Sequence, residues 1–435
     1  MRINNWGFIY LFGWHLVAIG LRTFYRKFQI SGMKKIPSDK PILFAGNHQS
    51  AFLDGAVLGA TLSKRLYFLA RADIFKGGVA RYFLNGINAL PIYRQRDGGD
   101  TNEKNVSAFA RIQNELAQKH PIVIFPEGNQ GSMKHLRPLK KGVFRIGVGA
   151  ELEYEKKLDV HVMPFGLNYD KHTTMGGDFL IAYGEPIRIQ EFLRDTEEDQ
   201  EKAYDELIEI LRERISSLIV DIRETDFYDL IHNCLIVFDR EITQAEKLRD
   251  KLVDRQAFVA GIEAKISDDK NVANKIKEID EDFTLKLQAH GLQAWLFRKK
   301  VQPTFFHTSA LLLLLPFHLF GVLNSYLPYR IPVSFIKRKV KDVHFHSSIK
   351  LTIGVLLFLI FWSIQTALIA AFTSNYVWLA YILAVVLSSA ISFKWWISYL
   401  KLRGKFAYNK LRKGDNPLYL QMHDQFQALK TYAGI

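Results

Sequence analysis

Two side chains near the start of the chain, His48 and Asp54, have the types and spacing of a general base and its partner. A neutral imidazole can take the proton of an attacking alcohol, and a carboxylate on the other ring nitrogen fixes the tautomer and stabilises the imidazolium. Six residues of regular helix turn by roughly 600°, so His48 must precede the helix and fold back onto Asp54. The alternative is a histidine that satisfies its loop and an aspartate that favours a helix N-terminus.

A second group of polar residues ends the apolar run 122–125. It begins with Pro126, Glu127 and Gly128. The basic residues that follow are Lys134, Arg137, Lys140 and Lys141. Where a strand of an α/β sheet ends, glycine allows backbone amides to approach an anion closely, and a phosphate is the natural ligand. The alternative for the basic residues is a surface that contacts anionic lipid.

Both groups require strands and helices that bring them to one edge of a sheet. Apolar runs typical of buried strands occupy residues 41–45, 66–70, 121–125, 160–167 and 179–182. Gly46 and Asn47 break the first run, and Ser50 could cap the next helix, which places Asp54 in the first turns of that helix. The alternation predicts an α/β domain over residues 31–196. Charged sequence with helical periodicity predicts a helical subdomain over residues 197–303.

Composition restricts the partners. The 435 residues carry a formal charge of +14, which indicates nucleic acid, anionic lipid headgroups or phosphorylated substrates. Long apolar runs at the ends of the chain favour lipid, so we predict no nucleic-acid partner. The single cysteine, Cys234, excludes an intramolecular disulfide and a multi-cysteine zinc site. His344 and His346 have the spacing of a metal pair but lack accompanying ligands; we predict no metal site and interpret them as lipid-headgroup contacts.

Residues 304–405 have the composition of a membrane region. The uncharged runs 351–372 and 376–393 can each cross about 30 Å of hydrocarbon and predict a transmembrane hairpin. Basic residues at its outer ends predict that these ends and the α/β domain face the cytoplasm. The run 309–327 contains Pro316 and His318 and is predicted to be re-entrant, with a complete span as the alternative. Residues 1–30 predict an interfacial anchor, and residues 406–435 a C-terminal tail.

Four ordered blocks within residues 40–190 resemble the glycerol-phosphate and lysophosphatidate acyltransferase superfamily. Block one is NHQSAFLD at residues 47–54 and block three is FPEG at residues 125–128; these two are specific. Block two is GINALPIYR at residues 86–94, and block four is VMPFG at residues 162–166. The resemblance implies an α/β acyltransferase domain with a mixed sheet flanked by helices, a helical subdomain and C-terminal transmembrane helices.

The resemblance also assigns roles to individual residues. His48 would be the general base, Asp54 its orienting partner, and Arg94, Glu127 and Gly128 parts of the phosphate and acceptor site. The implied reaction transfers a fatty acyl group from acyl-CoA or acyl carrier protein to glycerol-3-phosphate or 1-acylglycerol-3-phosphate in phospholipid synthesis. It implies a membrane-bound O-acyltransferase with no bound cofactor.

Two departures from the common pattern of the superfamily bear on the acceptor. Five residues separate His48 from Asp54 where four are usual, and Asn129 and Gln130 stand where threonine and arginine usually follow the glycine. Both departures resemble the subgroup that includes eukaryotic microsomal glycerol-3-phosphate and dihydroxyacetone-phosphate acyltransferases.

Without that arginine, the phosphate would depend on other basic side chains. The candidates are Arg94, Arg137, Lys140 and Arg145, the last of which could instead pair on a helix. Alternative acceptors are an aminoacyl lysolipid or another lysophospholipid. A further hypothesis is a catalytically inactive, lipid-binding membrane scaffold, which predicts loss of His48, Asp54 or Glu127, and all three are present.

Overall fold

The structure is a computed structural model that describes residues 7–93, 101–171, 176–299, 301–373, 376–414 and 416–435. The chain forms two compact units. The first comprises Met1–Asp221, Lys247–Leu252 and Val340–Thr352. The second comprises Ile222–Glu246, Val253–Lys339 and Ile353–Ile435.

A mixed β-sheet forms the centre of the first unit. Its eight strands in the described ranges are β1 (Lys27–Ser31), β2 (Ile42–Gly46), β3 (Tyr67–Arg71), β4 (Ala89–Ile92), β5 (Ile122–Ile124), β6 (His161–Tyr169), β7 (Asp178–Tyr183) and β8 (Ile187–Arg188). Their order is β1-β7-β6-β2-β5-β3-β4, and β8 pairs with β6. Strands β7 and β8 run antiparallel to β6, whereas the other pairings are parallel. The predicted mixed sheet is confirmed.

The strands differ in how clearly their sequences predict them. Each of the five apolar runs named above forms a strand, and β2 and β7 are buried along their whole length, as expected for strands covered on both faces. Strands β1, β4 and β8 were not predicted. Strands β4 and β8 are short, with four and two residues, whereas β1 is only partly buried and lies almost entirely within the residues predicted as an anchor. Pairing with neighbouring strands fixes these three.

Helices cover both faces of this sheet. The helices of the first unit are α1 (Phe8–Phe24), α2 (Ala51–Thr61), α3 (Gly78–Gly86), α4 (Thr101–Ala117), α5 (Gly142–Glu153) and α6 (Glu197–Ser216). Alternate residues of β2 belong to two different buried clusters: Leu43 and Ala45 pack with α5 and α6, whereas Ile42 and Phe44 pack with α1 and α2. This division follows from the two-residue period of a strand.

Helix α1 is both packed and apolar on its outer side. Val17, Leu21 and Phe24 are buried in the core of the first unit, while Phe8 and Phe12 are exposed. Residues 1–30 therefore contain a helix and a strand that belong to the α/β domain. The interfacial role of α1 stays a prediction.

The second unit is helical. Its helices are α7 (Tyr228–Val237), α8 (Asp239–Ile242), α9 (Leu248–Asp268), α10 (Lys270–Ala289), α11 (Phe305–Lys339), α12 (His346–Phe372), α13 (Val377–Arg412) and α14 (Pro417–Ala433), although the beginnings of α9 and α12 belong to the first unit. Phe297 contacts the rings of Phe283, Tyr408, Tyr419 and Phe426. The residues predicted as a C-terminal tail thus include a packed helix, α14. The predicted helical subdomain is divided, because α6 packs in the first unit.

Three helices in the described ranges, α11, α12 and α13, have the length and composition to cross a membrane. Helix α11 continues through Pro316, Pro328 and Pro332 as one helix of 35 residues. Residues 309–327 therefore lie inside a continuous helix of spanning length. Membrane insertion of each helix and the cytoplasmic orientation stay predictions.

Candidate active site

The two predicted motifs meet at one edge of the sheet. Strands β2 and β5 are parallel neighbours, and both motifs begin where these strands end. Asn47 fixes the turn after β2, because its side chain donates to the carbonyl of Leu167 at 3.0 Å and accepts from the amide of Leu167 at 2.7 Å. The carboxyl ends of adjacent parallel strands thus place His48 beside Glu127.

His48 folds back onto Asp54 as predicted from their spacing. The imidazole Nδ1 lies 2.8 Å from Oδ2 of Asp54, and Asp54 is fully buried. The same carboxylate oxygen accepts the amide hydrogens of Gln49 and Ser50, each at 2.8 Å. An ionised carboxylate only accepts hydrogen bonds, so Nδ1 carries the proton and Nε2 is left as the basic nitrogen.

The second oxygen of Asp54 is held by a residue that the sequence did not reveal. The Tyr169 hydroxyl donates to Oδ1 at 2.5 Å. Burial, followed by the nearby Asp54 charge, raises the pKa of Tyr169 well above its usual value, so this hydroxyl stays protonated and remains a donor. Tyr169 lies at the end of β6, and no local pattern connects it to a carboxylate 115 residues away.

The His48 ring is fixed from two further sides. It stacks on Phe125 with ring centroids 4.0 Å apart. Its Nε2 atom lies 3.2 Å from Nε2 of Gln130, so the glutamine amide donates to the basic nitrogen. An acceptor hydroxyl that gives its proton to His48 must take the place of this amide.

Glu127 connects the second motif to the base. Its carboxylate accepts the His48 amide hydrogen at 3.1 Å and forms an ion pair with Arg137. Burial raises the pKa of Glu127 to about 7, although Arg137 and the His48 amide act in the opposite direction. Arg137 also donates to the carbonyl oxygens of His48 and Gln130, at 3.2 and 2.8 Å, so it holds the loop together.

Gly128 provides a close approach for a lysine. Its φ is +74°, and a Cβ atom there would lie 2.8 Å from the Lys140 Nζ. The Lys140 amide donates to the carbonyl of Pro126 at 2.9 Å, which fixes this lysine against the glycine. A side chain at position 128 would be strained in its backbone and would displace the amine.

The structure brings together six of the predicted site residues: His48, Asp54, Glu127, Gly128, Arg137 and Lys140. Arg94 lies outside the described residues. Arg145 pairs with Glu201 at 3.1 Å, which agrees with the helix-pairing alternative. A narrow cleft lined in part by His48, Glu127 and Arg137 opens at this site. Its lining also includes Lys134 and His135.

Sequence reasoning missed Asn47 as a positioning residue, Tyr169, and the contact of Gln130 with the base. Asn47 and Gln130 lie inside or directly after the predicted blocks, so their positions were a usable signal. The parts of the chain that the structure describes contain no group of three or more His, Cys, Asp or Glu side chains arranged to hold a metal ion.

Comparison with known proteins identifies the class of this domain. Residues 27–168 match the family model described as Acyltransferase. This match includes β1 through most of β6 and the paired His48 and Asp54. The resemblance to the glycerol-3-phosphate and 1-acylglycerol-3-phosphate acyltransferase superfamily is confirmed for this segment.

Individual relatives are more distant. The chain is 26% identical over 195 residues to Glycerol-3-phosphate O-acyltransferase 2 of Saccharomyces cerevisiae. This match covers 43% of this chain and 25% of that protein. It is 28% identical over 134 residues to Lysophosphatidylcholine acyltransferase 1 of Danio rerio, which covers 30% of this chain and 25% of that protein. The chain thus spans about a quarter of the length of these relatives. A solved 1-acyl-sn-glycerophosphate acyltransferase from Thermotoga maritima matches 47% of this chain and 77% of that one, at 19% identity and a TM-score of 0.34.

Proposed function

We propose that the chain is a membrane-bound O-acyltransferase that transfers a fatty acyl group from a thioester to glycerol-3-phosphate or 1-acylglycerol-3-phosphate. The observation that carries the proposal is the 2.8 Å pair of His48 and Asp54 at the edge of a domain that matches the Acyltransferase family model. A protonated Nδ1 leaves Nε2 free to act as a general base once the Gln130 amide gives way.

The reaction then proceeds by direct attack of the acceptor. His48 Nε2 removes the proton of the acceptor hydroxyl, and the resulting alkoxide oxygen bonds to the thioester carbonyl carbon. The carbon–sulfur bond breaks, and the imidazolium returns the proton to the leaving thiolate of coenzyme A or acyl carrier protein. Buried Asp54 stabilises the imidazolium between these two transfers and keeps its orientation.

Glycerol-3-phosphate is the first acceptor to test. The five-residue spacing and the yeast relative both support it. Lys140 against Gly128 supplies a positive charge within the second motif for the phosphate. Arg137 contributes indirectly, because Glu127 and three backbone carbonyls already occupy its guanidinium. Arg94 keeps the phosphate-binding role that the family resemblance implies.

A lysophospholipid is the second candidate acceptor. The match to the Danio rerio enzyme supports this class, and Gln130 in place of the usual arginine reduces the positive charge next to the base. An aminoacyl lysolipid belongs to the same class of acceptor. A catalytically inactive scaffold is disfavoured, because such a protein has no need for a fully buried carboxylate that holds the His48 tautomer.

We further propose that the chain lies in a membrane with the α/β domain on the cytoplasmic side. Three helices of spanning length and the basic residues outside the 351–393 hairpin support this placement. The acyl donor would reach the domain from the cytoplasm, and the acyl chain and product would pass into the adjacent leaflet.

The test is acyl transfer by the purified full chain in detergent micelles. Radiolabelled acyl-CoA and acyl carrier protein are supplied with glycerol-3-phosphate, 1-acylglycerol-3-phosphate, lysophosphatidylcholine or an aminoacyl lysolipid, and His48→Ala serves as the blank. Ester formation with either of the first two acceptors supports the proposal. If ester forms only with the last two acceptors, the acceptor is a lysophospholipid and the proposed acceptor is wrong. If no acceptor gives more ester than the His48→Ala blank, acyl transfer is refuted.

A further inference from the structure

Residues 340–352, which we call the docking segment, comprise the connection from α11 to α12 and the first turns of α12, and they belong to the first unit. Ser347, Ser348 and Leu351 of this segment are buried. Leu351 lies in the same buried cluster as Leu53 and Val57 of α2. A segment almost 300 residues away in sequence is thus part of the core that supports Asp54.

The docking segment completes the beginning of α2. The amide of Leu53 donates to the Ser348 Oγ at 3.0 Å and is shared with the Ser50 carbonyl at 2.8 Å. Amides in the first turn of a helix lack partners within the helix. Ala51, the first residue of α2, has a φ of +31°, a conformation that residues with side chains rarely adopt. The start of α2 therefore needs support from outside the helix, and Ser348 supplies one hydrogen bond of that support.

The same segment also contacts the loop of the second motif. The imidazole Nε2 of His344 lies 3.0 Å from the Ser132 Oγ. The Asp342 Oδ1 atom accepts hydrogen bonds from the backbone amide and from Nδ1 of His344, at 3.0 and 2.7 Å. The ring is therefore oriented to accept the Ser132 hydroxyl hydrogen at Nε2. Ser132 follows Gly131, whose amide donates to the His48 carbonyl at 3.1 Å.

We propose that Ser348 and His344 are positioning residues for acyl transfer. Ser348 holds the helix that carries Asp54, and His344 holds the loop that carries Gln130, so one segment sets the relative placement of both halves of the site. Neither side chain bonds to His48, which distinguishes them from catalytic residues. The domain that matches the family model, residues 27–168, is on this account incomplete without the connection into α12. The inference rests on the proposed function.

The first test compares Ser348→Ala with Ser363→Ala, an exposed serine of the same helix. Alanine has the higher helix propensity, so neither change weakens α12 itself. We expect kcat of Ser348→Ala to fall about tenfold while KM for donor and acceptor stay within twofold, since small displacements of reacting groups lower the rate strongly. Ser363→Ala should match the wild type. Equal values for the two variants, or a rise in KM with kcat unchanged, would overturn the role of Ser348.

A double-mutant cycle tests His344 and Ser132. If their hydrogen bond is what positions the loop, His344→Ala, Ser132→Ala and the double variant should show the same fall in kcat, about threefold to tenfold. A kcat of the double variant that falls by the product of the two single losses would refute a shared contact.

A readout without catalysis separates this inference from the proposed function. Hydrogen–deuterium exchange of the full chain should be faster at residues 49–61 in Ser348→Ala and at residues 129–137 in His344→Ala, each relative to Ser363→Ala. Unchanged exchange in both segments contradicts the positioning contacts. A wild type that forms no ester while exchange changes as expected contradicts the proposed function alone.

Discussion

The two halves of the site are held in opposite ways. Asp54 is fully buried and takes hydrogen bonds from His48, Gln49, Ser50 and Tyr169, so its charge is met entirely by fixed donors. The other half is a loop held by the partly exposed Arg137, which pairs with Glu127 and donates to the backbone carbonyls of His48, Asn129 and Gln130.

This difference indicates that the two halves of the site have different roles. Fixed donors around a buried carboxylate suit a group that must stay ionised throughout a reaction, whereas a loop beside a cleft can adjust when an acceptor binds. We expect changes on the Asp54 side to affect the chemical step and changes on the Glu127 side to affect acceptor binding and stability as well.

The largest effect is expected from Asp54→Asn. Asparagine is neutral, so it cannot stabilise the imidazolium that forms when His48 takes the acceptor's proton. The Gln49 and Ser50 amides keep its oxygen, and not its N–H group, beside Nδ1. We expect kcat to fall by about 10³–10⁴-fold with little change in KM. Steady-state acyl transfer measures this, with Asp73→Asn, at an exposed ion pair, as the control. A loss of less than tenfold would show that the charge of Asp54 does not stabilise the imidazolium.

Arg137→Met tests the other half. Above pH 7, where Glu127 is ionised in the folded protein, it leaves the buried carboxylate without its ion-pair partner, which costs about 3 kcal/mol of folding free energy. We expect a lower Tm, a fall in kcat/KM of roughly 100-fold, and a rise in KM for the acceptor. Arg145→Met, which removes an exposed pair with Glu201, should change none of these three quantities measurably. Equal behaviour of the two variants would refute the structural role of Arg137.

The raised pKa of Glu127 predicts a pH-dependent stability. The folded protein holds this proton up to about pH 7, whereas the unfolded chain releases it near the ordinary value of 4.5. The unfolding free energy of the wild type should therefore fall relative to Glu127→Gln as the pH rises from 4.5 to 7, by about 3 kcal/mol. Chemical denaturation at pH 5 and 8 measures the difference. If the unfolding free energies of the two proteins change in parallel with pH, Arg137 outweighs burial in its effect on the pKa of Glu127.

The smallest effect is expected from Tyr169→Phe. It removes one hydrogen bond to Asp54, and hydrogen bonds to charged groups contribute about 1.5–3 kcal/mol. We expect kcat to fall roughly tenfold, which corresponds to the lower end of this range. Tyr25→Phe is the matched control, because Tyr25 stacks in the same buried cluster and its hydroxyl has no hydrogen-bond partner in the described part of the chain. A comparable loss in Tyr25→Phe would assign the effect to packing.

The features that the sequence could predict are those determined by local patterns. His48 and Asp54 lie six residues apart, so helix geometry alone required the fold-back that the structure contains. The apolar runs that became β2, β3, β5, β6 and β7 were visible because buried strands need continuous hydrophobic sequence. The two-residue strand β8 and the partly buried strand β1 depend on their neighbours and leave no such pattern.

Contacts between distant residues were out of reach for the same reason. Asn47 bonds to Leu167 and Asp54 to Tyr169 across more than 100 residues, and no periodicity records such pairs. His344 was interpreted as a lipid-headgroup contact, because the sequence around it does not show that Ser348 is buried against α2. A tertiary fold is needed to assign these residues to the site.

The most direct test of the central claim is the single-turnover rate of acyl transfer by His48→Ala at saturating donor and acceptor. A general base that accepts the acceptor's proton is required in each turnover, so we predict a loss of at least about 10³-fold, with unchanged circular dichroism and donor binding. Transfer at the wild-type rate by this folded variant would contradict the account.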